Sequence, residues 1–168
     1  MVQNSTQQRQ SLSSSEGLIS ALGFGGFLII LGVTFAITPG TWQALTAFFN
    51  DLKLTAYQLG AGSTVNLLAP AHLDTHASFY WAVFGFCLGI GALQIVILIL
   101  RLIARSRIRR ISETVGNLVF WIGAAFSVNV FLLIGTLTSW FQFWAVLILF
   151  FGVSLIARGI VYLFRRHP

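Results

Sequence analysis

The chain has 168 residues, of which 57% are hydrophobic and only 8% are charged, and its mean hydropathy is +0.86. A soluble domain of this size carries about 25% charged residues, so this composition excludes an ordinary soluble protein. The formal net charge of +6 is explained by basic residues beside membrane helices, and we expect no nucleic-acid partner. The single cysteine, Cys87, excludes a disulfide within the chain.

The chain begins with a polar segment that is followed by an apolar one. Residues 1–16 are rich in Gln and Ser and predict a disordered tail. Residues 18–37 carry no charge over 20 positions, about the length needed to cross a bilayer. This stretch is longer than the apolar part of a signal peptide and has no Ala-x-Ala site after it, so we expect a retained helix.

A connection of 39 residues, 38–76, separates the first apolar stretch from the next. Its first third has apolar residues at helical spacing, namely Trp42, Leu45, Phe48, Phe49 and Leu52. The polar residues Gln43, Asn50, Asp51 and Lys53 lie between them. This pattern predicts an amphipathic helix that lies in the membrane interface or on top of the helix bundle.

Three further apolar stretches lie at residues 77–100, 116–135 and 140–162. The second and third of the four stretches are separated by residues 101–115, which contain five arginines and predict a basic loop. The last two are joined by the short segment 136–139, which predicts an antiparallel helical hairpin. We therefore predict an all-α integral membrane protein, in which residues 17–168 form a bundle of four transmembrane helices with one extracytoplasmic amphipathic helix.

The basic residues indicate the orientation. With four spans, nine of the ten Lys and Arg residues fall on the side of the two termini and the basic loop, and the other side has only Lys53. Cytoplasmic flanks of membrane helices are enriched in Lys and Arg, so both termini are predicted to be cytoplasmic. We expect a multi-pass protein of the plasma membrane of a prokaryote.

The outer connection contains one candidate metal site, His72, Asp74 and His76. Imidazole and carboxylate groups are common ligands for zinc and similar ions, and alternate residues of an extended segment point to one side. Three polar residues beside a membrane surface also need no metal to explain them, and a solvated loop is the preferred interpretation. We expect no cofactor and no catalytic residue.

The polar residues within the spans are more typical of contacts between helices than of proton or ion transport. Gln94, Ser127 and Asn129 are candidates for hydrogen bonds between helices or for the lining of a path. No Asp, Glu, Lys or His lies deep in a predicted span, whereas proton pumps and ion-coupled transporters place ionisable groups there. Three arginines at a spacing of four, Arg101, Arg105 and Arg109, would form one stripe facing anionic lipids if the second span continued through them.

Three functions are compatible with these features. The preferred hypothesis is a non-enzymatic accessory, scaffold or assembly subunit of a membrane complex, with the bilayer and other membrane subunits, or further copies of the chain, as partners. The first alternative is a small oligomeric transporter or channel. The second is a metal-dependent membrane enzyme that uses the His and Asp residues of the outer connection.

Overall fold

A computed structural model describes the backbone of residues 2–38, 40–58 and 62–164, and the side chains of these ranges from Glu16 onwards. Its elements, in chain order, are α1 (Val2–Ile37), α2 (Thr41–Asn50), β1 (Leu52–Gln58), β2 (Thr64–Pro70), a 3₁₀ turn (Leu73–His76), α3 (Ala77–Ile103), α4 (Ile108–Ser127), a π-helical turn (Val128–Leu132) and α5 (Leu137–Phe164). The chain is mostly helical, as predicted.

Four helices of the described chain are long and apolar enough to cross a membrane: Glu16–Ile37, Leu73–Ile103, Ile108–Leu132 and Leu137–Phe164. Each overlaps one of the four predicted apolar stretches, and three of them contain it entirely, so the number and order of the long helices are confirmed. The helix α1 also extends back to Val2. The backbone of the polar segment expected to be a disordered tail is therefore helical in the structure, and the side chains of residues 1–15 lie outside the described part.

The long helices pack side by side in the order α1, α3, α4, α5. Glycines allow the close approaches. A Cβ atom added to Gly26 of α1 would lie 2.6 Å from Leu93 of α3, and one added to Gly123 of α4 would lie 2.3 Å from the ring of Phe150 in α5. The helices α3 and α4 lie in the middle of this row, and α1 and α5 form its two edges.

The connection between the first two long helices is not the simple loop that the sequence predicts. After α2, strands β1 and β2 form an antiparallel hairpin whose register pairs Leu52 with Pro70 and Gln58 with Thr64. We call α2, the hairpin and the 3₁₀ turn together, residues 41–76, the cap. The prediction of an all-α fold is therefore corrected, because the structure also contains one two-stranded sheet.

The loop expected at residues 101–115 is much shorter in the structure. The helix α3 continues to Ile103 and α4 already begins at Ile108, so only residues 104–107 connect them. Arg105 has a positive φ of 50° in this turn, which ends the helix. The condition for a single stripe of Arg101, Arg105 and Arg109, one continuous helix, is therefore not met. Contact of these residues with anionic lipids stays a prediction. The turn between the last two spans is also displaced, to residues 133–136.

The amphipathic helix is present as α2, but its buried face is narrower than its apolar sequence. Phe48 is only 8% exposed and belongs to the core, whereas Trp42 and Phe49 are 65% and 60% exposed. Helical geometry explains the difference, because Phe49 lies about 100° around the axis from Phe48. The buried face is formed by Thr41, Leu45 and Phe48, of which Leu45 is half-buried.

Phe48 should therefore contribute far more to stability than Phe49. We expect Phe48→Ala to lower the free energy of unfolding by about 3 kcal/mol, because it leaves a cavity between four other aromatic rings. Phe49→Ala, the matched control, should change it by less than about 1 kcal/mol. Thermal unfolding in detergent compares the two variants, and equal losses would contradict the assigned faces.

Candidate functional site

The hairpin register places one carboxylate beside the two histidines. Asp51 follows the last residue of α2, immediately before β1. Because Leu52 pairs with Pro70, Asp51 lies opposite Ala71, whose backbone N–H donates to the Asp51 carbonyl at 3.0 Å. The neighbour of Ala71 is His72. Residues 21 and 25 positions apart in the chain are thereby brought together.

The Asp51 carboxylate accepts three hydrogen bonds. Its Oδ1 lies 2.9 Å from His72 Nδ1, and its Oδ2 accepts from the His72 backbone N–H at 2.8 Å and lies 3.0 Å from His76 Nε2. An ionised carboxylate can only accept, so both imidazoles donate to it. We call Asp51, His72 and His76 the Asp51 clamp. It ties the end of α2 to the 3₁₀ turn that leads into α3.

The clamp is exposed on one side and buried on the other. The side chain of His72 is 66% exposed, whereas those of Asp51 and His76 are 15% and 7% exposed. The hydrogen bonds from His72 and His76 hold the pKa of the Asp51 carboxyl well below its ordinary value. Donors to the charged form favour that form, so the carboxylate stays ionised at neutral pH.

The candidate metal site is not assembled as the sequence suggests. His72 and His76 converge on Asp51, and Asp74 is not a member of that cluster. Asp74 instead lies at the turn between the last two long helices, where its Cα would be 3.2 Å from a Cβ added to Gly135. Among the described residues, no group of three His, Cys, Asp or Glu side chains is arranged to hold a metal ion. In this arrangement His72 Nδ1 and His76 Nε2 are hydrogen-bonded to the Asp51 carboxylate.

Sequence reasoning missed the role of Asp51, which the helical spacing assigns to the polar face of the amphipathic helix. The signal that could have found it is the pair of short alternating segments, residues 52–58 and 64–70, around a glycine-containing turn. Read as a hairpin, they place the residue before the first strand next to the residue after the second. That register alone brings Asp51 to the His72 segment.

An aromatic cluster lies directly beneath the clamp. The Phe48 ring stacks on Phe79 at 4.7 Å between centroids, and its edge contacts include His76 at 5.5 Å and Tyr80 at 6.2 Å. The indole Nε1 of Trp140 donates to the Leu68 carbonyl at 3.1 Å, which fastens β2 to α5. The clamp thus attaches α2 and β1 to the 3₁₀ turn that leads into α3, and one indole attaches β2 to α5.

A half-open cavity of about 530 Å³ lies between the cap and the ends of the long helices. Its wall is formed by α2, both strands, α3, the π-helical turn and α5, with Phe48, Phe49, Leu52, Leu68, Phe79, Tyr80, Val83, Leu132, Trp140, Phe143 and Trp144. None of these side chains is charged. The wall is therefore largely aromatic and apolar.

The opposite end of the molecule carries the arginines. Arg101 donates to the Arg110 carbonyl and to the buried Thr114 hydroxyl, which joins the end of α3 to the start of α4. Arg109 pairs with Glu113 at 3.2 Å on the surface. Glu16 lies beside Arg110 there, so the start of the first apolar span is at the same end as the turn between α3 and α4.

The polar residues of the spans do not form a common path. Ser127 is fully buried and donates to the Gly123 carbonyl of its own helix at 2.7 Å. Asn129 lies in the π-helical turn and is exposed, and Gln94 is half-buried in the middle of α3. Arg158 of α5, which the sequence placed at an interface, donates to Asn117 of α4 at 2.7 Å. This is a polar contact between neighbouring helices.

Comparisons with known proteins identify no relative. No protein-family description, no curated protein and no solved structure matches the chain.

Acidification tests the Asp51 clamp. Because its pKa is lowered on folding, the Asp51 carboxylate stabilises the protein fully above its ordinary pKa, about 4, and progressively less as the pH falls below that value. We expect the melting temperature of the wild type to fall between about pH 5 and about pH 3 by more than that of Asp51→Asn. Asp74→Asn, the matched control, should retain the wild-type acid sensitivity. If the melting temperature of Asp51→Asn falls with pH as much as that of the wild type, the stabilising role assigned to the Asp51 clamp is contradicted.

Proposed function

We propose that the protein crosses the bilayer four times and works as a non-enzymatic accessory or assembly subunit of a membrane complex. The observation that carries this proposal is the open arrangement of the long helices. The first span packs through one face against α3. Only 6% of the residues in its most apolar part are buried within the chain. An edge helix of this kind leaves most of its surface for lipid or for another membrane protein.

Glycines on the open face of α1 favour a protein neighbour. Gly25 and Gly32 are seven residues apart and therefore lie on one face, and a Cβ atom at either would meet nothing within 4 Å. Gly26, by contrast, is required for the internal contact with Leu93. Small residues on a membrane helix allow a second helix to approach closely. Their presence on both faces of α1 is expected if one face packs inside the chain and the other against a partner.

The charge distribution supports an orientation with the cap outside the cell. Arg101, Arg107, Arg109 and Arg110 gather at one end of the described bundle, and Lys53 lies in the cap. The side chains of Arg9, Arg165 and Arg166 lie outside the described residues. With Lys and Arg favoured on the cytoplasmic side, both termini would be cytoplasmic. Residence in the plasma membrane of a prokaryote stays a prediction.

Thiol labelling in intact cells tests this orientation. In a Cys87→Ala background, we expect Ser63→Cys in the hairpin turn to react with an impermeant reagent. Arg109→Cys, at a site where the native side chain is 83% exposed, should react only after the cells are permeabilised. Labelling of position 109 in intact cells, with protection of position 63, would contradict the proposed orientation.

Purification in mild detergent tests the subunit role. We expect the wild type to be isolated with other membrane subunits or as a homo-oligomer, and Gly25→Leu with Gly32→Leu to reduce that association about tenfold. The monomer should remain folded, because both positions are open. Gly85→Leu, an equally open position on α3, is the matched control.

Two results would contradict this proposal. One is a wild-type protein that is monomeric and without partners in mild detergent. The other is ion flux through liposomes that contain the purified chain alone, which would favour the channel.

A further inference from the structure

We propose that Arg158 and Asn117 bind the phosphate of an anionic phospholipid at the surface where α4 and α5 meet. The inference rests on the proposed passage of the chain through the bilayer and not on the subunit role. Arg158 of α5 is half-buried and lies directly against α4, where a Cβ atom added to Gly116 would be 2.3 Å from its side chain. Its Nη2 donates to Asn117 Oδ1 at 2.7 Å. The guanidinium is therefore held in one place on the helix surface.

Two donor groups at this contact remain available to a ligand. Because Asn117 uses Oδ1 to accept from Arg158, the hydrogens of its Nδ2 are left over, as are those of Arg158 Nη1. Within the described part of the chain neither nitrogen has a hydrogen-bond partner, and both reach the surface, whereas Nε of Arg158 is enclosed. An acceptor outside the chain can therefore bind Nη1 and Nδ2 together.

The charge of Arg158 has no carboxylate partner. The chain has four acidic side chains, all within the described residues, and none of them pairs with Arg158. Two belong to the cap, Glu113 pairs with Arg109 at 3.2 Å, and Glu16 lies beside other arginines. A cation within a membrane helix is costly unless it is paired. An anion from outside the chain would remove this cost.

The depth of Arg158 indicates where that anion comes from. Trp144 and Tyr162 are exposed on α5, and a helix between residues of this spacing extends about 27 Å. This is close to the thickness of the hydrocarbon layer, about 30 Å, and Trp and Tyr are enriched at its two boundaries. Arg158 lies one helical turn before Tyr162, so its guanidinium is close to one boundary. The anions at this boundary are the phosphates of the lipids.

The surrounding charges favour a lipid with a net negative charge. Arg107, Arg109 and Arg110 lie at the same end of the bundle. A zwitterionic headgroup would bring its own ammonium group towards these arginines, whereas an anionic headgroup is attracted by them. The guanidinium also suits a phosphate, because its planar donors match two phosphate oxygens at once. The expected ligand is therefore an anionic phospholipid.

Lipid titration followed by native mass spectrometry tests the proposal on the full chain in detergent. The probes are phosphatidylglycerol, phosphatidylcholine with the same acyl chains, and glycerol 3-phosphate, at about 0.15 M salt to screen distant charges. We expect phosphatidylglycerol to bind at least about fivefold more tightly than phosphatidylcholine. Glycerol 3-phosphate, which has the phosphate without the chains, should bind at least about tenfold more weakly than phosphatidylglycerol.

Arg158→Gln is the decisive variant, because Gln can still donate to Asn117 but carries no charge. It should bind phosphatidylglycerol about tenfold more weakly than the wild type. Arg107→Gln, the matched control, removes the same charge from an exposed position at the same end, and should change the affinity less than about threefold. Asn117→Leu removes the Nδ2 donor and keeps Arg158, and should weaken binding about threefold or more.

The outcomes are distinguishable. Weaker binding by Arg158→Gln and Asn117→Leu than by Arg107→Gln supports the proposal. Equal binding of both phospholipids by the wild type overturns it, as do equal losses in Arg158→Gln and Arg107→Gln, which would indicate a diffuse attraction to charge. Glycerol 3-phosphate that binds as tightly as phosphatidylglycerol would overturn the lipid as the source.

Two further points keep the test decisive. If Arg158→Gln does not fold, Asn117→Leu decides, because wild-type affinity in that variant contradicts the proposal. None of these measurements uses another membrane subunit, so a failure of the subunit role leaves their outcome unchanged.

Discussion

The arrangement of the cap depends on the hydrogen bonds that the Asp51 carboxylate accepts. It accepts from His72 and His76 at the same time, so one side chain fixes the end of α2, the register of the hairpin and the start of α3. Charge-assisted hydrogen bonds of this kind are shorter and stronger than neutral ones. Without the carboxylate, the two imidazoles would have no common acceptor, and the cap would be attached mainly through Phe48 and the indole of Trp140.

The aromatic cluster and the cavity follow from that attachment. The clamp brings the end of α2 over the start of α3, so that Phe48 packs against Phe79 and Tyr80. The π-helical turn at the end of α4 supplies Leu132 to the same space. These elements leave a cavity between them. Nearer the other end of the molecule, α4 and α5 pack closely at Gly116, where an added Cβ atom would lie 2.3 Å from the Arg158 side chain.

The sequence predicted the long-range pattern of this fold better than its local contacts. Four uncharged apolar stretches predict four long helices, because few other structures can bury so much apolar surface. The helical spacing around Phe48 predicts α2. The hairpin was missed because segments such as Leu52–Gln58 are short and mixed in polarity. The clamp was missed with it, since Asp51 and His72 become neighbours only through the strand register. Helix ends at Ile103 and Ile108 were misplaced because arginines extend a helix as readily as they form a loop.

Hydrogen exchange of the backbone amides tests most directly whether the Asp51 carboxylate holds the cap in place. If it does, Asp51→Asn will exchange faster than the wild type throughout residues 41–58 and 64–76, whereas α3, α4 and α5 will keep their wild-type protection. Asp74→Asn will exchange as the wild type does. Wild-type protection of the cap in Asp51→Asn, or an equal loss of protection in the cap and in the long helices, would contradict the account.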